Sequence, residues 1–181
     1  MSCVEAIMIG DSAFVLDVEK ARVIFSKGFF GLPIGVEKPK DPNFDTPLRL
    51  SLYETLYLAE KGILCVRDLE GKPFSLEELR SLVLQNKRSL VEYMAYKSLR
   101  DSNFVVRSAL KYGGDFLVYR LGPGLEHAPF IVHSYDIDDE IDPLKIVMAQ
   151  RVSHSVRKSL VFAVVSRERS IHYLIFRWVR F

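Results

Sequence analysis

Residues 143–165 read PLKIVMAQRVSHSVRKSLVFAVV. Leu144, Val147, Met148, Val152, Ser155 and Val156 recur at a spacing of about 3.6 residues, and Asp142-Pro143 supplies a cap and a first-turn proline, so the spacing predicts a helix with an apolar stripe. LVFAVV at 160–165 is apolar at every position, as in a central strand covered on both faces. With the apolar run Phe130 to Tyr135 upstream, the pattern predicts strand, helix and parallel strand joined in a right-handed βαβ crossover.

Outward from that unit, Phe104 to Val106 and Phe116 to Tyr119 read as further strands, with Gly122-Pro123-Gly124 as the loop before Phe130. Ile171 to Phe181 reads as a final strand returning through the Ser166 to Ser170 turn. Ser89 and Glu92 form a capping-box pattern opening a helix with Val91, Met94 and Ala95 inward. The charged joint Asn86-Lys87-Arg88 precedes it and predicts a boundary, with one domain over 1–88 and a second over 89–181. In the first, the runs at 6–9 and 13–18 flank Gly10-Asp11-Ser12 as a hairpin. Residues 31–47, GLPIGVEKPKDPNFDTP, hold four prolines, two glycines and five charges without periodicity, which predicts a long exposed loop. Thr46-Pro47 then caps a helix presenting Leu52, Tyr53, Leu56 and Tyr57 and stopped by Gly62. A strand at Ile63 to Val66 and a second helix from the Ser75/Glu78 box to about Asn86 complete the domain. The fold class is α+β, a small N-terminal α+β domain followed by a C-terminal mixed-sheet domain.

The chain has 181 residues, 49% of them hydrophobic, and a net charge of +2, which excludes a disordered chain and a bulk electrostatic partner. Cys3 and Cys65 are too few for a disulfide framework and lack CxxC spacing, which suits a reducing interior. Glu5, Asp11 and Asp17 interrupt the N-terminal apolar runs, so no signal peptide is read there, and no uncharged run reaches the roughly 20 residues of a membrane span. The expectation is a soluble, cytoplasmic protein with no membrane contact.

The four histidines, 127, 133, 154 and 172, have no HExxH or CxxC companion, so no metal site is expected. No GxxxxGK[ST] or GxGxxG occurs, which removes nucleotide hydrolysis. The acidic run DIDDEID at 136–142 precedes a helix N-terminus, where the macrodipole favours anions. From Lys145 onward eight Lys or Arg face one acid, Glu168, and Tyr173, Phe176, Trp178 and Phe181 are interleaved with them. That mixture suits phosphate contact and base stacking.

The segments FVVRSALKYGGDFLVYRLGPGLEHAPFIVHSY (104–135), DPLKIVMAQRVSHSVRKSLVFAVV (142–165) and IHYLIFRWV (171–179) resemble the catalytic domain of archaeal tRNA-splicing endonucleases. LRLSLYETLYLAEKGIL (48–64) and SLEEL (75–79) resemble their smaller N-terminal domain. The resemblance implies a nuclease with a cofactor-free, metal-free triad: a tyrosine ending the DFxVY strand, a histidine in the next loop and a lysine closing the HSVRK helix, here Tyr119, His127 and Lys158. It implies cleavage of precursor tRNA at bulge-helix-bulge junctions by attack of a ribose 2′-OH, leaving a 2′,3′-cyclic phosphate and a 5′-OH. Such chemistry needs a base, an acid and a cation for the phosphorane. An imidazole suits the acid and an ammonium the cation. A phenol with an ordinary pKa near 10 is only about 0.1% ionised at pH 7, so Lys158 is expected to lower the value for Tyr119.

The resemblance also implies that Arg151 and Arg177, with Trp178 adjacent, sandwich a bulged base; Arg151 borders the apolar stripe and is expected to be partly buried. The loop at 34–46, with Lys38 and Lys40 as candidate substrate contacts, is similar to the insertion of crenarchaeal catalytic subunits, which assemble with a paralogous noncatalytic subunit. The turn after LVFAVV is usually acidic in self-assembling members. Here Arg167, Glu168 and Arg169 make it net basic, and repulsion from a positive groove predicts an α2β2 assembly in place of a homotetramer. The alternatives are a noncatalytic RNA-binding subunit of the same assembly and a metal-dependent nuclease.

Overall fold

The hairpin Val4–Ile9 (β1) and Ser12–Val15 (β2) opens a five-stranded mixed sheet in a computed structural model that describes residues 3–37 and 39–179. The chain divides into two compact units, one ending at Asn86 and the next starting at Lys87. The first holds helix α1 (Val18–Ser26), strands β3 (Leu32–Pro33) and β4 (Leu48–Ser51), helix α2 (Leu52–Glu60), strand β5 (Leu64–Arg67) and helix α3 (Leu76–Val83). Its strand order is β3-β4-β2-β1-β5, with only β1 and β5 parallel.

Several expectations for this unit are corrected. The apolar run at 13–18 ends as a strand at Val15, because Asp17 accepts from the Lys20 N–H and caps α1. Thr46-Pro47 opens no helix. Residues 48–51 alternate buried Leu48 and Leu50 with exposed Arg49 and Ser51, which is a strand period. The helix starts one residue later, at the reciprocal box of Ser51 and Glu54. Glu54 also accepts from the Gly31 N–H at 2.8 Å. A Cβ on Gly31 would lie 2.7 Å from Leu48 and 2.9 Å from the Arg49 carbonyl, so only glycine fits there. The 31–47 segment is therefore pinned: Leu32–Pro33 pairs with β4, and Phe44 is buried against Phe25. Helix α3 ends at Val83.

Cys3 and Cys65 form a disulfide, with their Cα atoms 5.6 Å apart. Parallel pairing of β1 with β5, in register Val4↔Leu64, brings together two residues 62 positions apart. Composition could not show that proximity, so the thiols do not mark a reducing interior. Intracellular proteins of hyperthermophiles also carry disulfides, so the bond does not mark a secreted chain either. Among the described residues no helix is long and apolar enough to cross a membrane.

The second unit holds helix α4 (Lys87–Asp101), strand β6 (Val105–Ser108), a 3₁₀ turn at Leu110–Tyr112, strands β7 (Phe116–Tyr119) and β8 (Phe130–Asp136), helix α5 (Pro143–Ser155), and strands β9 (Ser159–Val165) and β10 (Ile171–Phe176). The sheet order is β10-β9-β8-β7-β6, and β8 and β9, joined through α5, are its one parallel pair. This is the expected βαβ unit in a mixed sheet. Helix α4 starts at Lys87, so Ser89 lies within its first turn and Glu92 pairs with Arg88. It covers one sheet face, where Tyr96 meets Phe116 and the Tyr173 hydroxyl donates to Ser98. On the other face Leu160 and Phe162 are buried, and α5 packs on β9.

Two expectations fail here. The regular part of the last strand ends at Phe176, and Arg180 and Phe181 lie outside the described residues. The predicted stripe of α5 is also on the wrong side. Leu144 and Met148 are 68% and 66% exposed, while Ser153 is the buried residue of the helix.

Candidate functional site

The pairs Val118↔Phe130 and Phe130↔Ser159 align β7, β8 and β9. One step beyond that row, Tyr119 ends β7, Pro129 precedes β8 and Lys158 precedes β9. Ser159 N–H donates to the Pro129 carbonyl at 2.9 Å. With strands about 4.8 Å apart, the C-terminal end of β7 and the N-terminal ends of β8 and β9 make one sheet edge. His127 stands exposed in the loop entering β8. Lys158 Nζ donates to the carbonyl of Ala128, the next residue, at 2.9 Å.

Local sequence sets each position. Glu126 accepts from the backbone N–H groups of Arg120 and Leu121. With Gly122 and Gly124 at φ 136° and 83°, this folds the His127 loop back on the end of β7. Lys158 is held just outside α5, not in its last turn: Arg157 is left-handed at φ 55°, its N–H donates to the His154 carbonyl at 3.0 Å, and that of Lys158 to Ser153 at 2.8 Å. These are the two bonds of a Schellman ending.

Tyr119 is half-buried, and burial pushes its phenol above the ordinary value, with Tyr112 and Glu126 acting in the same direction. The cation that opposes this is Arg107, not Lys158. Arg107 faces Leu117 across β6 and β7, which puts it on the same sheet face as Tyr119, one diagonal step away. Its Nη2 is shielded from solvent. Tyr112 is the second unforeseen neighbour. Its ring centroid is 5.9 Å from Lys158 Nζ. Both residues sit in the FVVRSALKYGG stretch, yet only strand pairing and a fold-back loop bring them to Tyr119, so spacing gave no signal for either.

Of the candidate grip residues, Arg177 and Trp178 follow β10, whose last pair Phe176↔Leu160 leaves them beside the start of β9 at the same edge. Both are exposed. Arg151 is exposed on α5 and not partly buried as expected, because the helix turns its apolar residues outward. Lys40 is exposed in the first unit, and Lys38 lies outside the described residues.

Apart from Glu126, four acidic groups of the second unit are engaged away from this edge. Asp115 accepts from Arg88 at 2.5 Å and from the Ser134 N–H at 2.6 Å. Asp136 pairs with Lys87 at 2.9 Å, Asp138 with Arg167 at 2.6 Å, and Asp142 caps α5. Arg167 is thus paired with Asp138, both side chains being exposed. Among the described residues no three His, Cys, Asp or Glu side chains cluster as a metal site would need.

Residues 90–173 match the family model described as the tRNA intron endonuclease catalytic C-terminal domain, and residues 4–80 match the tRNA intron endonuclease N-terminal domain. The chain is 49% identical over 178 residues to a tRNA-splicing endonuclease of Hyperthermus butylicus, covering 97% of this chain and 98% of that one. It is 46% identical over 181 residues to one of Saccharolobus islandicus and 44% identical to one of Saccharolobus solfataricus, each covering 98% of this chain and 99% of the relative. With both halves matched and relatives aligned end to end, this chain belongs to the tRNA intron endonuclease family.

Proposed function

We propose that this chain is the cleaving subunit of a tRNA-splicing endonuclease, cutting precursor tRNA at bulge-helix-bulge junctions without a metal ion. The observation that carries the reading is the meeting at one sheet edge of Tyr119, the His127 loop and Lys158, with Lys158 bonded to the carbonyl beside His127. Tyr119, acting as its phenolate, takes the proton of the 2′-OH and becomes the neutral phenol, and the 2′-oxygen then bonds to phosphorus. His127 gives its proton to the departing 5′-oxygen as the P–O5′ bond breaks. Lys158 balances the charge on the phosphorane, and a fixed ammonium there stabilises charge that develops only in the transition state. Exposure of His127 suits proton exchange with solvent between turnovers. Burial raises the Tyr119 phenol and Arg107 opposes part of that rise, so the base form has to be generated against the resting environment of the site.

Arg151, Arg177 and Trp178 would hold a flipped-out base, with stacking worth about 1 to 3 kcal/mol per base, and Lys38 and Lys40 would add phosphate contacts. The exposed apolar residues of α5 and β10 support assembly with further endonuclease subunits. The heteromeric α2β2 form with a paralogous subunit is supported by the net-basic turn at Arg167 and Arg169 and by the resemblance of the 34–46 segment.

The test is cleavage of a bulge-helix-bulge RNA in excess EDTA, with and without the candidate partner, followed by end-group analysis. Cyclic phosphate and 5′-OH ends are expected, and a 2′-deoxy residue at the cut should bind but resist cleavage. Loss of cutting in EDTA would favour a metal-dependent nuclease. Binding without cutting under every condition would favour a structural subunit.

A further inference from the structure

Two groups flank the Lys158 ammonium. One is the Ala128 carbonyl, which accepts its proton at 2.9 Å. The other is the face of Tyr112, whose ring centroid lies 5.9 Å from the ammonium, within the range in which a ring quadrupole attracts a cation. A lysine has four rotatable side-chain bonds, and one hydrogen bond leaves most of that freedom; a ring on a second side removes much of it.

The backbone around Tyr112 is built to hold that ring still. The 3₁₀ turn Leu110–Tyr112 is closed by Tyr112 N–H to the Ala109 carbonyl at 2.8 Å and Gly113 N–H to Leu110 at 3.1 Å. Gly113 is left-handed at φ 70°. Gly114 lies so close to the sheet that a Cβ would meet Ile131 at 2.6 Å and His133 at 3.3 Å. The loop is thus pressed onto the sheet face that carries Ile131, and Tyr112 projects from it partly buried. Its phenol is also near enough to Tyr119 for charge on one to oppose charge on the other, so the same ring borders two members of the site.

We propose that Tyr112 is a positioning residue whose ring clamps the Lys158 ammonium against the Ala128 carbonyl and so aims it at the scissile phosphate. This rests on the function proposed above, in which Lys158 meets the phosphorane. The ring is the working part, so Tyr112→Phe should keep the role and Tyr112→Leu should lose it.

The experiment is single-turnover cleavage of bulge-helix-bulge RNA by the assembled enzyme carrying Tyr112→Phe, Tyr112→Leu, Lys158→Met, or Tyr112→Leu with Lys158→Met. Tyr112→Phe should stay within about threefold of the parent, while Tyr112→Leu should slow the chemical step about tenfold with RNA affinity unchanged, as expected for an aim lost without loss of binding. In the Lys158→Met background Tyr112→Leu should add nothing. A second readout needs no leucine variant: in the NMR spectrum the ε-methylene protons of Lys158 should be shifted upfield by the ring current, equally in the parent and in Tyr112→Phe. A Tyr112→Leu rate near that of the parent, a multiplicative loss in the double variant, a Tyr112→Phe rate as slow as that of Tyr112→Leu, or unshifted ε-methylene protons would each overturn the clamp. Full activity of Lys158→Met would instead bring down the parent proposal about Lys158, and the ring-current shift would still report whether the clamp exists.

Discussion

Helices α2 and α5 are both amphipathic in sequence, yet they treat their apolar residues in opposite ways. In α2 Thr55, Leu56 and Leu58 are fully buried, with Tyr57 and Ala59 close behind, so the helix is enclosed by side chains of its own unit. In α5 the apolar residues Leu144, Val147, Met148 and Val152 face outward, while Gln150 and Ser153 turn side-chain oxygens inward that find no hydrogen-bond partner. β10 adds exposed Leu174 and Ile175. The contrast lies in these two helices: α2 is buried within its own unit, whereas α5 leaves its apolar stripe exposed beside the polar end of the second sheet.

The largest effect that would break this contrast is at the polar edge. Lys158→Ala and His127→Ala should each slow single-turnover cleavage by about 10²-fold or more, and Tyr119→Phe should slow it as well, all with little change in thermal unfolding because none fills a core position. Near-parent rates in all three would leave the second unit without its assigned purpose.

A smaller effect separates the two helices directly. Leu56→Ala should destabilise the first unit by about 2 to 5 kcal/mol, the usual result of a cavity at a fully buried leucine. Met148→Ala, on an exposed face, should stay within about 0.5 kcal/mol for the single chain but weaken assembly, read by light scattering against concentration. If Met148→Ala destabilised the dilute single chain as much as Leu56→Ala does, α5 would be packed within its own unit after all.

The smallest effect concerns acid. Lys87 holds the Asp136 carboxyl below its ordinary value, and Arg167 does the same for Asp138. In the first unit Asp17 and Glu78 are held down by the backbone N–H groups of Lys20 and Ser75. A depressed carboxyl contributes stability above its unfolded pKa, near 4, and the contribution is lost as pH falls through the lower folded value. Both units should therefore loosen below about pH 4. Salt screens ion pairs between exposed side chains far more than it affects a helix cap. Amide exchange at neutral pH should accordingly show high salt relaxing residues near Asp136 and Asp138 and sparing those near Asp17 and Glu78.

Legibility in the sequence follows the range of the interaction. The Ser75/Glu78 box, the Asp142-Pro143 helix start, the Gly62 stop and the FLVY strand were readable because each depends on a few adjacent residues. The Ser51/Glu54 box is equally local but competes with the Thr46-Pro47 signal, which LRLS, alternating like a strand, outweighs in the fold. Tyr119, His127 and Lys158 were found through motif resemblance. Their approach to one edge follows from the register of three strands, which no spacing encodes.

Local chemistry thus decided most of the element types and the α+β class, since caps and periods are written along the chain. Tertiary structure alone decided the Cys3–Cys65 bond, the outward turn of the α5 stripe, the pairing of Arg167 with Asp138, and the choice of Arg107 over Lys158 as the cation facing Tyr119. Each of these joins residues that the sequence keeps apart, and contact energies between such residues exist only once strand order and register have brought them within a few ångströms.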